Sequence, residues 1–358
     1  MRFLFKTRYE QDIALARHDG HVFWYGLLML ALLIAPFVLP QYWLEQLSFV
    51  LIYATIGLGL MLLSGFTGLF SMGHGAFMGV GAYVQVFFVN AGLPFPLAMV
   101  MAMFISAAAG FLVGLPALRV KGIYLAISTL SFGFILEEIL ARWESVTGGN
   151  AGIHVKPPVL FAVNFNAPVL FYGLCLGVTV LATLGVLNLL RAPTGRAFVA
   201  VRDSEISAQS MGIHVARTKT LSFAISAALA GLGGALYAHK LQFISPDQFS
   251  LLQSIELLML VVIGGLGSIH GAFFGAIFLI VMPQLIAIGK DFLPAMIGEA
   301  PGLQSIVYGL ILILFVLFEP LGIYGRWLKI RTWLEMFPFY RQDMFRRQKA
   351  FLKSDRLK

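Results

Sequence analysis

Apolar runs long enough to cross a lipid bilayer recur along this chain, and they limit its fold more than any other feature. A membrane-spanning helix needs about 17–25 mostly apolar residues, because the hydrocarbon core is about 30 Å thick and offers no water to backbone polar groups. The predicted spans are 22–39, 47–63, 68–90, 97–118, 122–141, 168–190, 219–239, 255–269, 271–288 and 303–320. Charged residues make up 12% of the chain, about half the share typical of soluble domains. The sequence therefore predicts an all-α polytopic membrane protein with about ten transmembrane helices.

The basic residues predict how these spans are oriented, because Lys and Arg concentrate in the cytoplasmic loops of membrane proteins. With a cytoplasmic N-terminus, 21 of the 25 Lys and Arg residues fall on the cytoplasmic side. The expected topology is therefore N-in and C-in, with the first span kept as an uncleaved helix. The predicted parts are a cytoplasmic N-terminal segment 1–21, a transmembrane domain 22–320 that contains a cytoplasmic loop 191–218, and a basic cytoplasmic tail 321–358.

A short motif occurs twice, which indicates an internal repeat. SMGHGAFMGVGAY at 71–83 and GSIHGAFFGA at 267–276 share H-G-A-F-x-G, beginning at His74 and at His270. The small residues of such motifs let helix backbones approach closely in lipid. Two interpretations of the histidines stay open: each caps a helix turn at a tight hairpin, or each lies beside a substrate path.

The second copy of the motif lies in a segment that is short for two crossings. Residues 255–288 would extend about 51 Å as one helix, whereas two full crossings need about 60 Å. The segment is therefore expected to be a broken or re-entrant hairpin around Gly264, Gly265 and Gly267. Broken helices in corresponding halves of a chain are typical of transport pathways.

Motifs for several kinds of chemistry are absent from the sequence. It contains no P-loop motif, no H-E-x-x-H and no G-x-S-x-G, and its single cysteine, Cys175, lies within an apolar run. The acidic residues of the spans, Glu137, Glu138 and Glu256, fall near the predicted outer ends, which argues against an ion-coupled carrier. We therefore expect no catalytic residues, no cofactor and no metal site.

Three segments outside the spans carry further predictions. Loop 191–218 lacks Gly and Pro over 197–211, which predicts one short cytoplasmic helix that ends at Gly212. The basic tail 321–358 interleaves aromatic and cationic residues, which favours binding to anionic lipid over binding to nucleic acid. The outer loop 142–167 is either a passive connection or a docking surface for an external partner.

Several separated stretches resemble one protein family. They are SGFTGLFSMGHGAFMGVGAY (64–83), LRVKGIYLAISTLSF (118–132), TGGNAGI (147–153) and GRAFVAVRDSEISAQSMGIHVARTKTLSFAISAALAGLGGALYA (195–238). Together they resemble the permease subunits of branched-chain amino acid ABC importers, and the M-type subunit in particular. The resemblance covers about residues 25–320, whereas the tail after Arg326 lies outside it.

The resemblance implies roles and partners. In such permeases an E-A-A-x-x-x-G helix docks into an ATPase subunit, and here Ile206, Ser207, Ala208 and Gly212 match it, with Ile206 where the motif has Glu. Arg202, Asp203 and Glu205 flank this helix and are the expected polar contacts. The implied translocation pathway comprises Ser71, His74, Gly75, Thr129, Gly267, His270 and Gly271. The implied partners are an H-type permease, two cytoplasmic ATPases and a periplasmic substrate-binding protein, and ATP hydrolysis is expected on the ATPases alone.

The implied substrates are leucine, isoleucine and valine, imported across the inner (plasma) membrane by alternating access. Relatives that move urea or short amides, and a stand-alone secondary carrier, are the alternatives. A carrier would need neither a Gly-terminated cytoplasmic helix nor an ATPase partner.

Overall fold

A computed structural model of the protein describes residues 19–116, 120, 122–160, 163–290, 302–319 and 321–336, and these residues are mostly helical. The predictions for 1–18 and for 337–358 therefore lie outside the described residues. The apolar helices are α1 (Asp19–Val38), α2 (Gln41–Leu60, extended by a π-helical turn Met61–Phe66), α3 (His74–Asn90), α4 (Phe95–Gly114), α5 (Ile123–Arg142), α7 (Pro168–Arg191), α10 (Val215–Leu241), α11 (Leu251–Gly264), α12 (Ile269–Lys290) and α13 (Leu303–Phe318). Shorter helices are α6 (Glu144–Thr147), α8 (Pro193–Asp203), α9 (Glu205–Ser210) and α14 (Gly322–Met336).

Seven helical segments in the described part of the chain are long and apolar enough to cross a membrane. They are Gln41–Phe66, Phe95–Gly114, Ile123–Arg142, Pro168–Arg191, Val215–Leu241, Pro246–Gly264 and Ile269–Gly289. The predicted spans 22–39 and 303–320 correspond to the shorter apolar helices Val22–Val38 and Ile306–Phe315, and the span 68–90 corresponds to α3, which has 17 residues. The prediction of a mostly helical polytopic fold is confirmed, with short strands outside the helices, whereas the count of ten and the N-in/C-in orientation stay predictions.

One helix begins later than the sequence predicts. Residues 68–73 are the start of the predicted span 68–90, but they form an irregular segment, and α3 begins only at His74. Gly68 adopts φ +75°, a conformation that interrupts a right-handed helix and that glycine tolerates. An apolar run with several glycines gives no hydropathy signal for such a break.

The loop helix expected over 197–211 is instead two helices, α8 and α9. Ser204 separates them in an extended conformation, with φ −164°. Its Oγ accepts a hydrogen bond from the Ser207 backbone N–H at 3.2 Å and so caps the start of α9. Serine favours such N-cap positions because its hydroxyl replaces a missing backbone partner. The first helix also begins earlier than predicted, at Pro193, a residue suited to a first helical turn.

The core of the bundle is built around α2 and α10. These two helices are buried over most of their apolar length, whereas α5 is largely exposed. Close backbone contacts join α10 to its neighbours: Gly59 of α2 packs on Ser226, and Gly81 of α3 packs on Gly231. Any side chain at Gly81 would overlap the backbone of Gly231. Small residues therefore allow the close packing that stabilises helix association in lipid.

Short strands gather at one end of the bundle, which we call the strand end. β1 (Ile153–His154) pairs antiparallel with β4 (Phe243–Ile244), with Ile153 opposite Ile244. β2 (Val159–Leu160) forms a hairpin with β3 (Val163–Asn164). His239 Nδ1 donates to the Lys156 carbonyl oxygen at 3.0 Å and ties the loop before β2 to α10. The described part of the loop 142–167 is therefore attached to α10 at Lys156 and to β4 through β1.

The opposite end of the bundle, which we call the break end, contains two interruptions of the helices. The first is the segment 67–73 between the π-helical turn and α3, and the second is the turn 265–268 between α11 and α12. The turn 265–268 lies against the π-helical turn that precedes the first interruption, since a Cβ atom at Gly65 would stand 2.5 Å from the Gly267 nitrogen. A break is thus present around Gly264, Gly265 and Gly267, as expected, but the helices on both sides of it are long enough to cross a membrane, and a re-entrant hairpin stays a prediction.

Candidate functional site

The α8–α9 pair exposes large apolar side chains at the break end. Ile206 is 78% exposed and Met211 is 84% exposed, and both lie outside the seven segments long enough to cross a membrane. These two side chains make the end of the α8–α9 pair a candidate protein contact surface. Ile206 was a predicted site residue, whereas Met211 follows α9 and was missed because the sequence motif does not include it.

Arg202 lies in the last turn of α8, and its side chain contacts the bundle. Its Nη1 donates to the Gly65 carbonyl oxygen at 3.0 Å, and its Nε donates to Asp203 Oδ1 at 3.1 Å. The aliphatic part of Arg202 covers Gly68, where a Cβ atom would lie 2.8 Å from Arg202 Cγ. Arg202 therefore fixes the α8–α9 pair to the last turn of α2.

Glu205 begins α9 and pairs with a lysine of α10. Lys219 Nζ lies 2.8 Å from Glu205 Oε1, and the two side chains are 2% and 27% exposed. A buried ammonium group requires such a partner, because desolvation without one is costly. Lys219 was not predicted as a site residue, since a pairing between two helices leaves no local sequence pattern.

The remaining predicted residues of the loop shape α9. Ala208 is buried, while Ser207 is exposed and donates its N–H to the Ser204 cap. Gly212 adopts φ +83° and ends the helix, with its N–H bonded to the Gln209 carbonyl oxygen at 3.0 Å. The motif therefore forms a capped helix of six residues with a glycine at its end.

His74 lies at the centre of a buried polar layer, which comprises Ser71, His74, Thr129, Ser226 and Ser254. His74 is fully buried, and its Nε2 lies 3.0 Å from Ser226 Oγ. Ser226 Oγ donates onward to the Gly59 carbonyl oxygen at 2.6 Å. The hydroxyl is thus occupied as a donor, which assigns the proton of the neutral imidazole to Nε2.

Other members of the polar layer hold the irregular segment and the start of α3. Ser71 Oγ lies 3.4 Å from His74 Nδ1, the acceptor nitrogen of this tautomer. Thr129 Oγ1 accepts from the Met72 N–H at 3.0 Å, and Ser254 Oγ accepts from the Gly75 N–H at 3.0 Å. Irregular backbone within a membrane bundle needs such partners, because water cannot supply them. Ser71, His74, Gly75 and Thr129 are therefore brought together in one layer.

His270 occupies a different environment from His74, although both begin copies of the same motif. It is exposed at the break end, where Tyr25 Oη lies 2.6 Å from His270 Nε2. The ring of Tyr324 stacks on it at 5.6 Å with an interplanar angle of 6°. His270 therefore joins α1, α12 and α14, and it does not belong to the polar layer.

Gly267 and Gly271 lie at the second helix break. Gly267 N–H points at Met61 Sδ, 3.3 Å away, and Gly271 packs against the carbonyl oxygens of Gly264 and Gly265. The predicted pathway residues thus form two groups, the polar layer and this second break. The contact between Gly65 and Gly267 joins the π-helical turn before the first break to the second break.

A cleft of about 500 Å³ opens at the strand end. It is lined by Val89, Leu93, Pro94, Phe95, Lys156, Pro157, Pro158 and Val159. The segment 156–159 therefore combines a cation with a stiff diproline beside the connection between α3 and α4. This cleft was not predicted, because its two walls are distant in sequence.

The fold and these sites define a multi-pass α-helical membrane protein with interrupted helices in its interior, a construction typical of transport proteins. Residues 42–316 match the model of the family described as "Branched-chain amino acid transport system / permease component". The chain belongs to this family of transporter subunits, and it is a multi-pass protein of the inner membrane.

Three relatives show the range of similarity. The high-affinity branched-chain amino acid transport system permease protein LivM of Salmonella typhimurium is 35% identical over 309 residues, which cover 78% of this chain and 73% of the relative. The autoinducer 2 import system permease protein LsrC of Enterobacter sp. is 29% identical over 263 residues, which cover 70% and 74%. The high-affinity branched-chain amino acid transport system permease protein LivH of Salmonella typhimurium is 28% identical over 297 residues, which cover 76% and 91%. No solved structure matches the chain.

Proposed function

We propose that this chain is the M-type permease subunit of an ATP-driven importer that moves branched-chain or related neutral amino acids into the cell. The observation that carries the proposal is the exposed apolar surface of Ile206 and Met211, on a helix pair fixed to the bundle by Arg202 and Lys219. A subunit driven by a separate ATPase needs such an exposed but firmly attached surface. A stand-alone carrier does not need one.

The proposed orientation follows from the basic residues. The break end faces the cytoplasm, with ten crossings and both termini inside, because this arrangement keeps most Lys and Arg residues on the cytoplasmic side. The strand end then faces the periplasm. In this topology the domains are the segment 1–21, the transmembrane permease domain 22–320 with the coupling loop 191–218, and the tail 321–358.

The proposed partners are two cytoplasmic ATPases, a second permease subunit and a periplasmic substrate-binding protein. The ATPases would dock on the α8–α9 pair, through Ile206 and Met211 at the contact and Asp203 and Ser207 at its polar edge. The similarity of this chain to LivH supports a second permease subunit of related fold. The two permease subunits would pack side by side around a shared pathway. The cleft beside 156–159 is the proposed contact for the binding protein.

The tail is the proposed lipid contact. Helix α14 exposes Trp327, Ile330 and Trp333 next to the cations Arg326 and Lys329. Aromatic and cationic side chains on one surface helix favour the interface of an anionic membrane.

None of the seven residues proposed for the pathway carries a fixed charge. The polar layer offers hydroxyl groups and a neutral imidazole in the tautomer assigned above, and such groups solvate a zwitterion without holding it tightly. The substrate class rests on the similarity to LivM, and the choice among neutral amino acids would be made by the binding protein.

Co-purification tests the docking surface. The chain is expressed with its candidate ATPase and permease partners, and wild type is compared with Ile206→Asp and Met211→Asp. We expect both variants to lose at least tenfold in ATPase recovery while the second permease still co-purifies, because a buried charge opposes an apolar contact. Ala216→Asp adds the same charge at an exposed position of the same end and is the matched control. Equal ATPase recovery by all variants would contradict the proposal.

Uptake into proteoliposomes tests the substrate class. The assembled complex is supplied with its binding protein and with radiolabelled leucine, isoleucine, valine or urea. We expect ATP-dependent uptake of the three amino acids and none of urea. Uptake of urea alone would assign the chain to the amide-transporting branch of the family.

A further inference from the structure

The ion pair between Lys219 and Glu205 is the most deeply buried charge contact among the described residues of the break end. Lys219 Nζ and Glu205 Oε1 are 2.8 Å apart, and the lysine side chain is 2% exposed. The pair joins the first residue of α9 to the membrane helix α10. A pair with this burial is rigid, because separating the charges would leave an uncompensated ammonium group in the bundle.

Helix α10 connects this pair directly to the buried polar layer. Ser226 lies seven residues after Lys219, which is two helical turns and about 10 Å along the same face. Ser226 contacts His74 at 3.0 Å and the Gly59 carbonyl oxygen at 2.6 Å. A displacement of α10 at Lys219 would therefore reach His74 and α2 through contacts that already exist.

A second attachment closes a loop of contacts. Arg202, at the end of α8, donates to Gly65 at the end of the π-helical turn, at 3.0 Å. The α8–α9 pair is thus bonded to both α10 and α2, and these two helices are bonded to each other through Ser226. Motion of the pair relative to either helix would break a named contact, so the three parts move as one body.

We propose that Lys219 and Glu205 are positioning residues that transmit movement of the α8–α9 pair to α10 and the His74 layer. The inference rests on the proposed function, in which ATPases displace this pair. Glu205 was expected among the polar contacts with the ATPase, but its carboxylate here acts within the permease subunit, where it pairs with Lys219. The exposed Ile206 and Met211 then supply the contact with the ATPase. Breaking the pair should leave docking and ATP hydrolysis intact and reduce the substrate moved for each ATP hydrolysed.

The test uses the complete transporter in proteoliposomes and measures ATP hydrolysis and uptake of a neutral amino acid on the same preparation. The variants are Lys219→Met, Glu205→Gln, the conservative Lys219→Arg, and the exchange Lys219→Glu with Glu205→Lys. We expect the two single neutral variants to retain the ATPases and basal hydrolysis but to move at least tenfold less substrate per ATP. Lys219→Arg should stay within about twofold of wild type, and the exchange should recover at least a third of the wild-type ratio.

The ratio of substrate to ATP separates this role from a purely structural one, because a destabilised complex would lose both activities together. An unchanged ratio in Lys219→Met and Glu205→Gln would overturn the inference. So would loss of ATPase binding in Glu205→Gln alone, since Glu205 would then be a docking residue. If Lys219→Met fails to fold, the ratio measured in Glu205→Gln decides. A wild-type chain that binds no ATPase would instead overturn the proposed function.

Discussion

Replacing Ser226 with alanine should destabilise the protein more than the removal of one hydroxyl group usually does. The Ser226 hydroxyl accepts from the fully buried His74 Nε2–H at 3.0 Å and donates to the Gly59 carbonyl oxygen at 2.6 Å. An unpartnered buried donor costs about 1–3 kcal/mol, and the loss of the second bond adds about 0.5–1.5 kcal/mol. Because His74 and Ser226 are both fully buried, we expect Ser226→Ala to lower the free energy of unfolding by about 2–4 kcal/mol.

Ser222→Ala is the matched control for this prediction. Ser222 is also fully buried and lies one turn earlier on α10, but its hydroxyl donates only to the Lys219 carbonyl oxygen of its own helix, at 2.7 Å. Its loss should cost less than about 1 kcal/mol, since alanine also favours the helix. Steric trapping in bicelles gives the unfolding free energy of both variants.

A third variant separates the His74 contact from other effects of the Ser226 substitution. In a His74→Phe background the imidazole N–H is gone, so Ser226→Ala should cost at least about 1 kcal/mol less than in wild type. Equal destabilisation by Ser226→Ala and Ser222→Ala, or an unchanged cost in the His74→Phe background, would refute the described hydrogen-bond network.

Three further predictions follow from contacts of the fold. Gly81→Leu should abolish correct folding, because its side chain would overlap the backbone of α10, whereas Gly177→Leu has open space and should fold normally by size-exclusion chromatography. Gly212→Ala should cost about 1 kcal/mol in thermal stability of the complex, because Gly212 adopts φ +83° at an open position, and an unchanged melting temperature would contradict that geometry. Tyr25→Phe removes the 2.6 Å contact with His270 and should cost only about 0.5–1.5 kcal/mol, measured by chemical unfolding, because this contact is exposed.

Hydropathy predicts the helices of this chain because a bilayer requires a long apolar run for each crossing. It does not predict the break at 67–73, because the glycines and the serine of this segment are also common within membrane-spanning helices. The start of α3 at His74 depends on Ser226, Ser254 and Thr129, which lie on other helices. Sequence alone cannot bring these hydroxyl groups together.

The two copies of the H-G-A-F-x-G motif illustrate the same limit. Both copies begin a helix after a break, as their glycines predict, and the two glycines of each copy pack closely against neighbouring segments. Their histidines nevertheless differ, because His74 is enclosed by α10 while His270 meets Tyr25 and Tyr324 at the exposed break end. The local motif determines the backbone, whereas the neighbouring helices determine the chemistry of the side chain.

The coupling loop was predicted as one helix with polar contacts for a partner, and its internal role was missed. Ser204 was not recognised as a cap within the loop, and the ion pair between Lys219 and Glu205 joins two elements separated by a turn. The exposure of Ile206 and Met211 could not be predicted from the sequence, because it depends on which neighbouring residues are buried in the fold.

Amino-acid uptake into proteoliposomes, measured with and without ATP, tests the central claim most directly. The complete transporter is reconstituted with its ATPases and its binding protein, and labelled leucine is offered on the binding-protein side. An ATP-driven importer predicts leucine accumulation against its gradient only when ATP and the binding protein are both present, with loss of uptake in Ile206→Asp. Uptake by the chain alone, without ATP and unaffected by Ile206→Asp, would contradict the account and define the chain as a stand-alone carrier.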